Sequence, residues 1–195
     1  AADTAGTDAG GRDVTVGGTR NIICLCRDYK VEKLVYISTC SVYGTARLRT
    51  GQTIDEECDL EQFPKLRGAY SSFKLEAEHL VTGFSAEEST QTICIRPGQI
   101  FGRGADTFPP SLGFAISNRY FFVIGLGNLV LPLAHVDNVA EAIVDCIEND
   151  LAIGQIFNVV DSDRITKRQY VDSLIRKLYP QARVLFVPYS LVWVL

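Results

Sequence analysis

The stretch "KLVYISTCSVYG", residues 33–44, joins a short apolar run to a cluster of small side chains that carry hydroxyl or thiol groups. Residues 33–38 are almost wholly apolar, which is typical of a parallel strand buried on both faces of a sheet. The small polar residues 38–41 follow directly. Hydroxyls at the end of a strand either cap the turn of the chain there or form part of a catalytic site.

Helical and strand patterns alternate along the rest of the chain. Residues 69–84 have a strong amphipathic pattern that predicts a helix, and residues 92–97 form a second buried strand closed by Pro97. Strands that alternate with helices of about 10 to 15 residues indicate βαβ units and a parallel sheet. Asp137 or Asn138 is the expected N-cap of a helix over 136–149, and Thr166 of a helix over 166–179. The other predicted helices cover 16–30 and 109–120, and the other predicted strands cover 120–124, 130–136, 155–160 and 183–188.

The composition excludes several classes of protein. The chain has 195 residues, of which 47% are hydrophobic and 22% charged, and this indicates a globular protein with a substantial core. A net charge of −4 without clustered Lys and Arg argues against nucleic-acid binding. The six cysteines include no CxxC pair, and His79 and His135 are the only histidines, so no metal site is predicted. The cysteines are interpreted as reduced thiols of a cytoplasmic protein.

Tyr70 and Lys74 lie four positions apart within the predicted helix 69–84, so they share one helix face. Free tyrosine has a pKa of about 10, and a close positive charge favours the phenolate. A tyrosine tuned in this way can exchange a proton with a carbinol or a carbonyl. A second pair with the same spacing, Tyr29 and Lys33, straddles a helix end and a strand start, so it is interpreted as chance. Spacing and helical context together make Tyr70 and Lys74 the candidate catalytic pair.

Six short segments occur along the chain in a recognisable order. They are "VGGTRNII", "LVYISTCSVYG", "YSSFKLEAE", "IRPGQIFGRG", "HVDNVAEAIV" and "GQIFNVVD". Together they resemble the extended branch of the short-chain dehydrogenase/reductase superfamily over nearly the whole chain. That branch includes nucleotide-sugar epimerases, sugar dehydratases and 3β-hydroxysteroid dehydrogenases. The resemblance implies an α/β fold, a Rossmann-like doubly wound parallel sheet in part, with a small C-terminal substrate-binding α/β portion.

The resemblance also implies roles for individual residues. Thr39 falls at the position of the Ser or Thr that hydrogen-bonds the reacting oxygen, and Tyr70 falls at the acid/base. Lys74 matches the residue that holds the nicotinamide ribose and lowers the tyrosine pKa. The implied cofactor is NAD or NADP, which takes hydride from a substrate C–H bond while Tyr70 takes the hydroxyl proton. The other implied positions are Pro97, Gly98 and Thr15 at the cofactor, and Ser41, Gln99 and Tyr43 on the substrate side, with Tyr43 either a packing residue or part of the substrate wall.

The resemblance divides the chain into two functional portions. Residues 1–107 and 130–160 correspond to the C-terminal half of an NAD(P)-binding Rossmann domain, and residues 108–129 and 161–195 to part of a substrate-binding subdomain. No GxxGxxG turn for the cofactor pyrophosphate occurs, and "GLGNLV" (125–130) lacks the third glycine. The chain is therefore expected to be a fragment of a larger enzyme, and to bind NAD(P) only weakly by itself.

The small-molecule substrate stays open between nucleotide sugars and sterol-like secondary alcohols. The apolar segment 186–195 slightly favours the sterol side. A sterol-like substrate would also imply membrane association, through residues beyond Leu195. The chain itself has no run of about 18 apolar residues. The alternative function is a non-catalytic relative that senses a cofactor or binds a partner. The family pattern also implies a homodimer through helices 16–30 and 69–84.

Overall fold

The structure is a computed structural model, and it describes residues 8–45, 48, 52–87 and 90–192. The chain divides into two compact units. The first consists of Ala1–Gly98 and Asn138–Val159, and the second of Gln99–Asp137 and Val160–Leu195. Residues 99–107, 130–137 and 160, which the resemblance assigns to the cofactor-binding portion, belong to the second compact unit.

A three-stranded parallel sheet forms the centre of the first unit, with the strand order β1–β2–β7. Its strands are β1 (Lys33–Ile37), β2 (Gln91–Pro97) and β7 (Ile156–Val159). The register sets Ile37 beside Ile95 of β2. β2 is buried along almost its whole length because it is the central strand, whereas β1 is half-buried because it lies at the edge. The predicted Rossmann-like parallel sheet is confirmed, but the expected burial of β1 on both faces is reduced by this edge position.

A long helix, α3 (Ala69–Glu87), packs against β2 and against α2 (Gly18–Asp28). Its buried side chains recur every three or four residues, as on an amphipathic helix, and they include the polar Lys74 and Glu78 besides apolar ones. The π-helical turn Asp13–Gly17 joins α2 to the preceding short helix, α1 (Asp8–Arg12). The first unit also contains the 3-10 turns Cys40–Val42, Pro64–Arg67 and Asp150–Ala152.

Helix α4 (Val136–Glu148) starts earlier than its predicted caps. Asp137 and Asn138 therefore lie inside the first turn, where the carboxylate of Asp137 still faces the positive end of the helix dipole. At the opposite end, Lys33 Nζ donates to the carbonyl of Ile147 at 2.7 Å. This contact ties the start of β1 to the last turn of α4, where a positive charge is favourable.

The second unit contains a mixed three-stranded sheet with the order β4–β5–β8. β4 (Gly113–Ile116) is antiparallel to β5 (Tyr120–Ile124), and β5 is parallel to β8 (Arg183–Val187). A separate parallel pair is formed by β3 (Gln99–Phe101) and β6 (Leu133–His135). One face of the three-stranded sheet packs on the core of this unit, whose buried members are Leu112, Phe121, Val123, Leu131, Leu133, Tyr170, Val171 and Ile175.

The predicted cap of the helix over 166–179 is confirmed. Thr166 Oγ1 accepts a hydrogen bond from the Gln169 N–H at 3.2 Å, and the Gln169 side chain accepts one from the Thr166 N–H at 2.8 Å. Such a reciprocal pair satisfies two amides that a helix start otherwise leaves without partners. The elements that follow are α5 (Lys167–Tyr170), the π-helical turn Val171–Ile175, α6 (Arg176–Leu178) and α7 (Tyr189–Val192).

The predicted helix over 109–120 is wrong. The segment instead forms β4 and the 3-10 turn Ser117–Arg119. Gly113, the first residue of β4, explains the difference. Its φ is +152°, and a Cβ there would lie 1.9 Å from the carbonyl oxygen of Phe122. Only a residue without a side chain allows β4 to approach β5 so closely.

The end of the apolar segment 186–195 falls at residues 193–195, outside the described residues. Across the described part of the chain, no helix has both the length and the apolar character needed to span a bilayer.

Candidate active site

The end of β1 leads into a tight turn. The chain passes Ser38 and Thr39 and then forms the 3-10 turn Cys40–Val42. Thr39 is buried, and its Oγ1 accepts a hydrogen bond from the Ser41 N–H at 3.2 Å. The hydroxyl of Thr39 therefore caps the turn. Because a hydroxyl can accept and donate at once, the same group can still donate its proton to a ligand.

Lys74 reaches from α3 to the end of β1. Its Nζ donates to the carbonyl oxygen of Ile37 at 2.5 Å, two residues before Thr39. Only 8% of Lys74 is exposed, and this burial lowers the pKa of its ammonium group. Cys94 and Glu78 act in the opposite direction on that pKa.

Tyr70 lies four residues before Lys74 on the same helix and is half-buried. Its phenol interacts electrostatically with that of Tyr36, whose ring centre lies 4.7 Å from Lys74 Nζ. Burial is the main reason that the pKa of Tyr36 is raised, and Tyr70 adds to it. Tyr36, Tyr70 and Lys74 therefore form one cluster at the carboxyl end of β1.

A second polar cluster is buried between α3, β2, β7 and the Cys40–Val42 turn. Arg96 Nη2 donates to Glu78 Oε1 at 2.5 Å, and Nη1 donates to the hydroxyl of Tyr43 at 2.8 Å. Tyr43 in turn donates to Asn158 Oδ1 at 2.8 Å. Burial disfavours the charge of Arg96, but its hydrogen bonds to Glu78 and Tyr43 outweigh this, so the pKa of Arg96 is raised. A buried ion pair with these hydrogen bonds holds α3, β2 and the turn in one arrangement.

Tyr43 and Cys40 belong to this second cluster. The Tyr43 side chain is fully buried, and its hydroxyl is hydrogen-bonded to both Arg96 and Asn158. These contacts favour a packing role for Tyr43 over a place in the substrate wall. Cys40 Sγ donates to the carbonyl of Arg96 at 3.1 Å, and burial raises the pKa of this thiol to about 11. Cys40 is therefore a neutral packing neighbour of Thr39.

Ser38 and Ser41 flank Thr39 with hydroxyls that are buried and have no hydrogen-bond partner among the described residues. Buried polar groups are almost always paired, with protein, water or a ligand. Two such hydroxyls beside Thr39 fit a site at which a polar ligand supplies the missing hydrogen bonds. This is the observation that makes the strand end suitable for a hydroxyl-rich cofactor or substrate.

Three residues that are predicted to contact the cofactor, Pro97, Gly98 and Thr15, have structural roles within the first unit. Pro97 ends β2, and the N–H of Gly98 donates to the carbonyl of Val159 at 2.9 Å. Thr15 is buried in the π-helical turn, where its carbonyl accepts the hydroxyl of Thr19 at 2.7 Å. A cofactor contact by any of the three stays a prediction.

Gln99 belongs to the second unit, whereas Thr39, Tyr70 and Lys74 belong to the first. Its Oε1 accepts a hydrogen bond from the hydroxyl of Ser111, and its N–H donates to the carbonyl of Pro132 at 2.6 Å. Its role at the substrate also stays a prediction.

His135 has structural contacts in the second unit. Its N–H donates to the carboxylate of Asp161 at 3.1 Å, and its ring meets the Phe101 ring edge-on at 5.1 Å between centres. Within the described ranges, no three His, Cys, Asp or Glu side chains are grouped as ligands of a metal ion.

The buried pair of Arg96 and Glu78 was not predicted from the sequence. One signal was present: Glu78 follows Lys74 by four positions and so lies on the same helix face, and Arg96 interrupts an otherwise apolar strand. A charge in a buried strand requires a partner. No local signal indicates Glu56, whose Oε1 accepts the N–H of Asn158 at 2.6 Å, because it lies in an acidic stretch typical of solvated surface.

A parallel sheet with polar residues at its carboxyl edge is the arrangement in which α/β proteins bind nucleotide cofactors. The model of the NAD dependent epimerase/dehydratase family matches residues 4–159, and the chain belongs to this family. The chain is 30% identical over 189 residues to a 3β-hydroxysteroid-dehydrogenase/decarboxylase, isoform 1, of Arabidopsis thaliana, and 37% identical over 145 residues to isoform 2. These alignments cover 92% and 72% of this chain but 42% and 24% of the relatives, so the chain spans less than half their length.

Solved structures share the fold at low sequence identity. An epimerase from Methanothermobacter thermautotrophicus superposes with a TM-score of 0.77 at 19% identity, over 96% of this chain and 58% of that one. A UDP-glucuronic acid 4-epimerase from Bacillus cereus, solved with UDP-glucuronic acid and NAD, gives 0.72 at 19% identity over 94% of this chain and 57% of that one. At this identity the likeness establishes the Rossmann-like fold alone.

Proposed function

We propose that the protein is an NAD(P)-dependent oxidoreductase that acts on a secondary alcohol or on the corresponding ketone. The observation that carries the proposal is the buried ammonium group of Lys74, which lies on the helix face of Tyr70 and donates to the carbonyl of Ile37, two residues before Thr39. Burial of a charged group is unfavourable unless it has hydrogen-bond partners, and a ligand at this place would supply further acceptors for Lys74. Two orphaned hydroxyls, Ser38 and Ser41, support a polar ligand at the same place.

Each residue then has a definite task. Tyr70 receives the proton of the substrate hydroxyl during oxidation and returns it during reduction. Lys74 lies one helical turn from Tyr70, and the two N–H groups of Lys74 that Ile37 does not use are donors for ribose hydroxyls. Thr39 donates its proton to the reacting oxygen while the Ser41 amide holds its Oγ1 in place. A bound nicotinamide supplies the hydride acceptor or donor.

A sterol-like secondary alcohol is the substrate class that we favour. The curated relatives with 30% and 37% identity are 3β-hydroxysteroid-dehydrogenase/decarboxylases. A nucleotide sugar is the second candidate, since a 26% identical relative in Escherichia coli O157:H7 is an N-acetyl-alpha-D-glucosaminyl-diphospho-ditrans,octacis-undecaprenol 4-epimerase, aligned over 92% of this chain and 52% of that protein.

Tyr70→Phe in the full-length protein tests the acid/base role. We expect the rate of NAD⁺-dependent oxidation of a 3β-hydroxysteroid to fall by at least about 100-fold, because Phe cannot take up the proton. The affinity for NADH, measured by fluorescence titration, should be kept. Tyr29→Phe is the matched control, because Tyr29 has the same spacing to a lysine but is 77% exposed.

Two outcomes would change the proposal. Equal turnover by the Tyr70→Phe and Tyr29→Phe proteins would remove Tyr70 as the acid/base. Epimerisation or oxidation of a UDP-sugar, with the steroid left unchanged, would replace the sterol-like substrate by the nucleotide-sugar class.

We also propose a homodimer that uses α2 and α3. Ile22, Leu25 and Tyr29 follow one another at helical spacing along α2 and its end, and all three are exposed. An exposed apolar stripe of this kind is typical of a helix that packs against a partner.

A further inference from the structure

One face of the β4–β5–β8 sheet in the second unit is apolar and exposed. Alternate side chains of β5, Phe121 and Val123, point into the core, so Tyr120 and Phe122 belong to the opposite face. On β8, Leu185 alternates with core-facing neighbours in the same way and is 50% exposed. Monomeric proteins rarely leave a continuous apolar sheet face in water, which marks this face as an interaction surface.

The strand register makes this face continuous. Phe114 of β4 lies beside Phe122, with their rings stacked at 4.9 Å between centres, and Ile116 lies beside Tyr120. Phe114 and Ile116 are both more than half exposed. We call the set of Phe114, Ile116, Tyr120, Phe122 and Leu185 the outer sheet face.

A polar depression of about 380 Å³ adjoins the outer sheet face. Tyr120 belongs to both, and it pairs in the strand register with Arg183, which also lines the depression. Arg119, which directly precedes β5, supplies a second guanidinium group. Guanidinium groups bind phosphate oxygens with paired hydrogen bonds, so two of them beside an apolar surface suit a phosphate held at the edge of an apolar phase. The other lining residues are Asn118 and Gln181.

The net charge differs between the two units. The second unit has eight Lys and Arg against five Asp and Glu, a net charge of +3, so the first unit carries −7 of the total of −4. A negatively charged surface therefore attracts the unit that bears the outer sheet face and repels the other. Charge of this sign excludes a second copy of the same basic face as the preferred partner, because two such faces would bring four arginines together.

We propose that the outer sheet face docks on an anionic phospholipid bilayer. Phe114, Ile116 and Leu185 enter the boundary between headgroups and acyl chains, where burial of their apolar area favours binding. Arg119 and Arg183 bind lipid phosphates at the rim, and each basic residue near an anionic membrane strengthens binding several-fold. This surface is independent of the reaction proposed above, because it shares no residue with the Thr39, Tyr70 and Lys74 site.

Co-sedimentation with vesicles tests the proposal. The protein should pellet with vesicles of phosphatidylcholine containing about 30% phosphatidylserine, and little with phosphatidylcholine alone, since the anionic leaflet supplies the attraction. Arg119→Gln combined with Arg183→Gln should lower the binding constant by about tenfold or more. Lys177→Gln, an exposed basic residue of α6 in the same unit, is the charge-matched control and should have a much smaller effect.

The apolar part of the outer sheet face is tested by a second variant with its own control. Leu185→Asn should weaken vesicle binding clearly, whereas Leu178→Asn, at the same 50% exposure but on α6, should leave it unchanged. Urea unfolding midpoints of all variants separate lost binding from lost folding. Three results would overturn the proposal: no pelleting with anionic vesicles, equal binding by variants and controls, or self-association that Leu185→Asn abolishes in the absence of lipid.

Discussion

Lys74 and Glu78 place two opposite charges on the buried face of one helix, one turn apart. Burial alone would drive the ammonium group of Lys74 towards its neutral form, and Glu78 opposes this. Arg96 binds both carboxylate oxygens of Glu78, at 2.5 and 3.3 Å, so the buried carboxylate has a partner of opposite charge. We infer that Arg96 supports the charge of Lys74 through Glu78, although it lies in a different cluster from Tyr70.

Glu78→Gln tests the weight of this buried pair. The substitution keeps the shape of the side chain but leaves the guanidinium of Arg96 buried without a counter-charge. We expect it to lower the free energy of unfolding by about 3–5 kcal/mol, measured by urea denaturation. Glu76→Gln is the control on the same helix, because its ion pair with Arg12 is exposed and should contribute less than about 1 kcal/mol. Similar losses for both variants would contradict a special role for the buried pair.

At the scale of elements, apolar runs sufficed to predict the strands that became β1, β2, β7 and β8, because burial decides the structure of such runs. The prediction for residues 109–120 was wrong, since their hydrophobic spacing suits a helix as well as a strand followed by a turn. The deciding contact, Gly113 against Phe122, spans nine positions and has no local signature.

The candidate site likewise has one part that could be predicted from the sequence and one part that could not. Tyr70 and Lys74 are neighbours in sequence and were predictable as a pair, whereas Tyr43 meets Asn158 only through tertiary structure.

Gly113→Ala should disrupt the pairing of β4 with β5. The added Cβ would lie 1.9 Å from the Phe122 carbonyl at a φ of +152°, so backbone must shift. We expect the unfolding free energy to fall by at least about 2 kcal/mol, from strain and from the lost strand contact. Gly83→Ala is the control, because nothing lies within 4 Å of that position on α3, and it should stabilise the helix by about 0.5–1 kcal/mol. Loss of stability in both proteins, or in neither, would contradict the steric explanation.

At the scale of the whole molecule, each unit leaves a different apolar surface exposed, and the two surfaces suit different partners. The stripe of Ile22, Leu25 and Tyr29 lies on a helix of the acidic first unit, whereas the outer sheet face belongs to the basic second unit. A helix stripe pairs well with a second helix stripe, because side chains at three- and four-residue spacing interdigitate. A second copy of the chain supplies such a stripe without a further partner protein, and closed twofold pairing of this kind is the commonest form of assembly.

Leu25→Glu should therefore separate the proposed dimer. Light scattering after gel filtration should give twice the mass of a single chain for the unsubstituted protein and the single-chain mass for the variant. A carboxylate placed in the helix contact would be buried against its own copy across the twofold axis, which is unfavourable. Leu151→Glu is the control, since Leu151 is 86% exposed in the same unit and lies outside the stripe. A single-chain mass for the unsubstituted protein at every concentration, or a dimer that survives Leu25→Glu, would show that α2 is not the dimer contact.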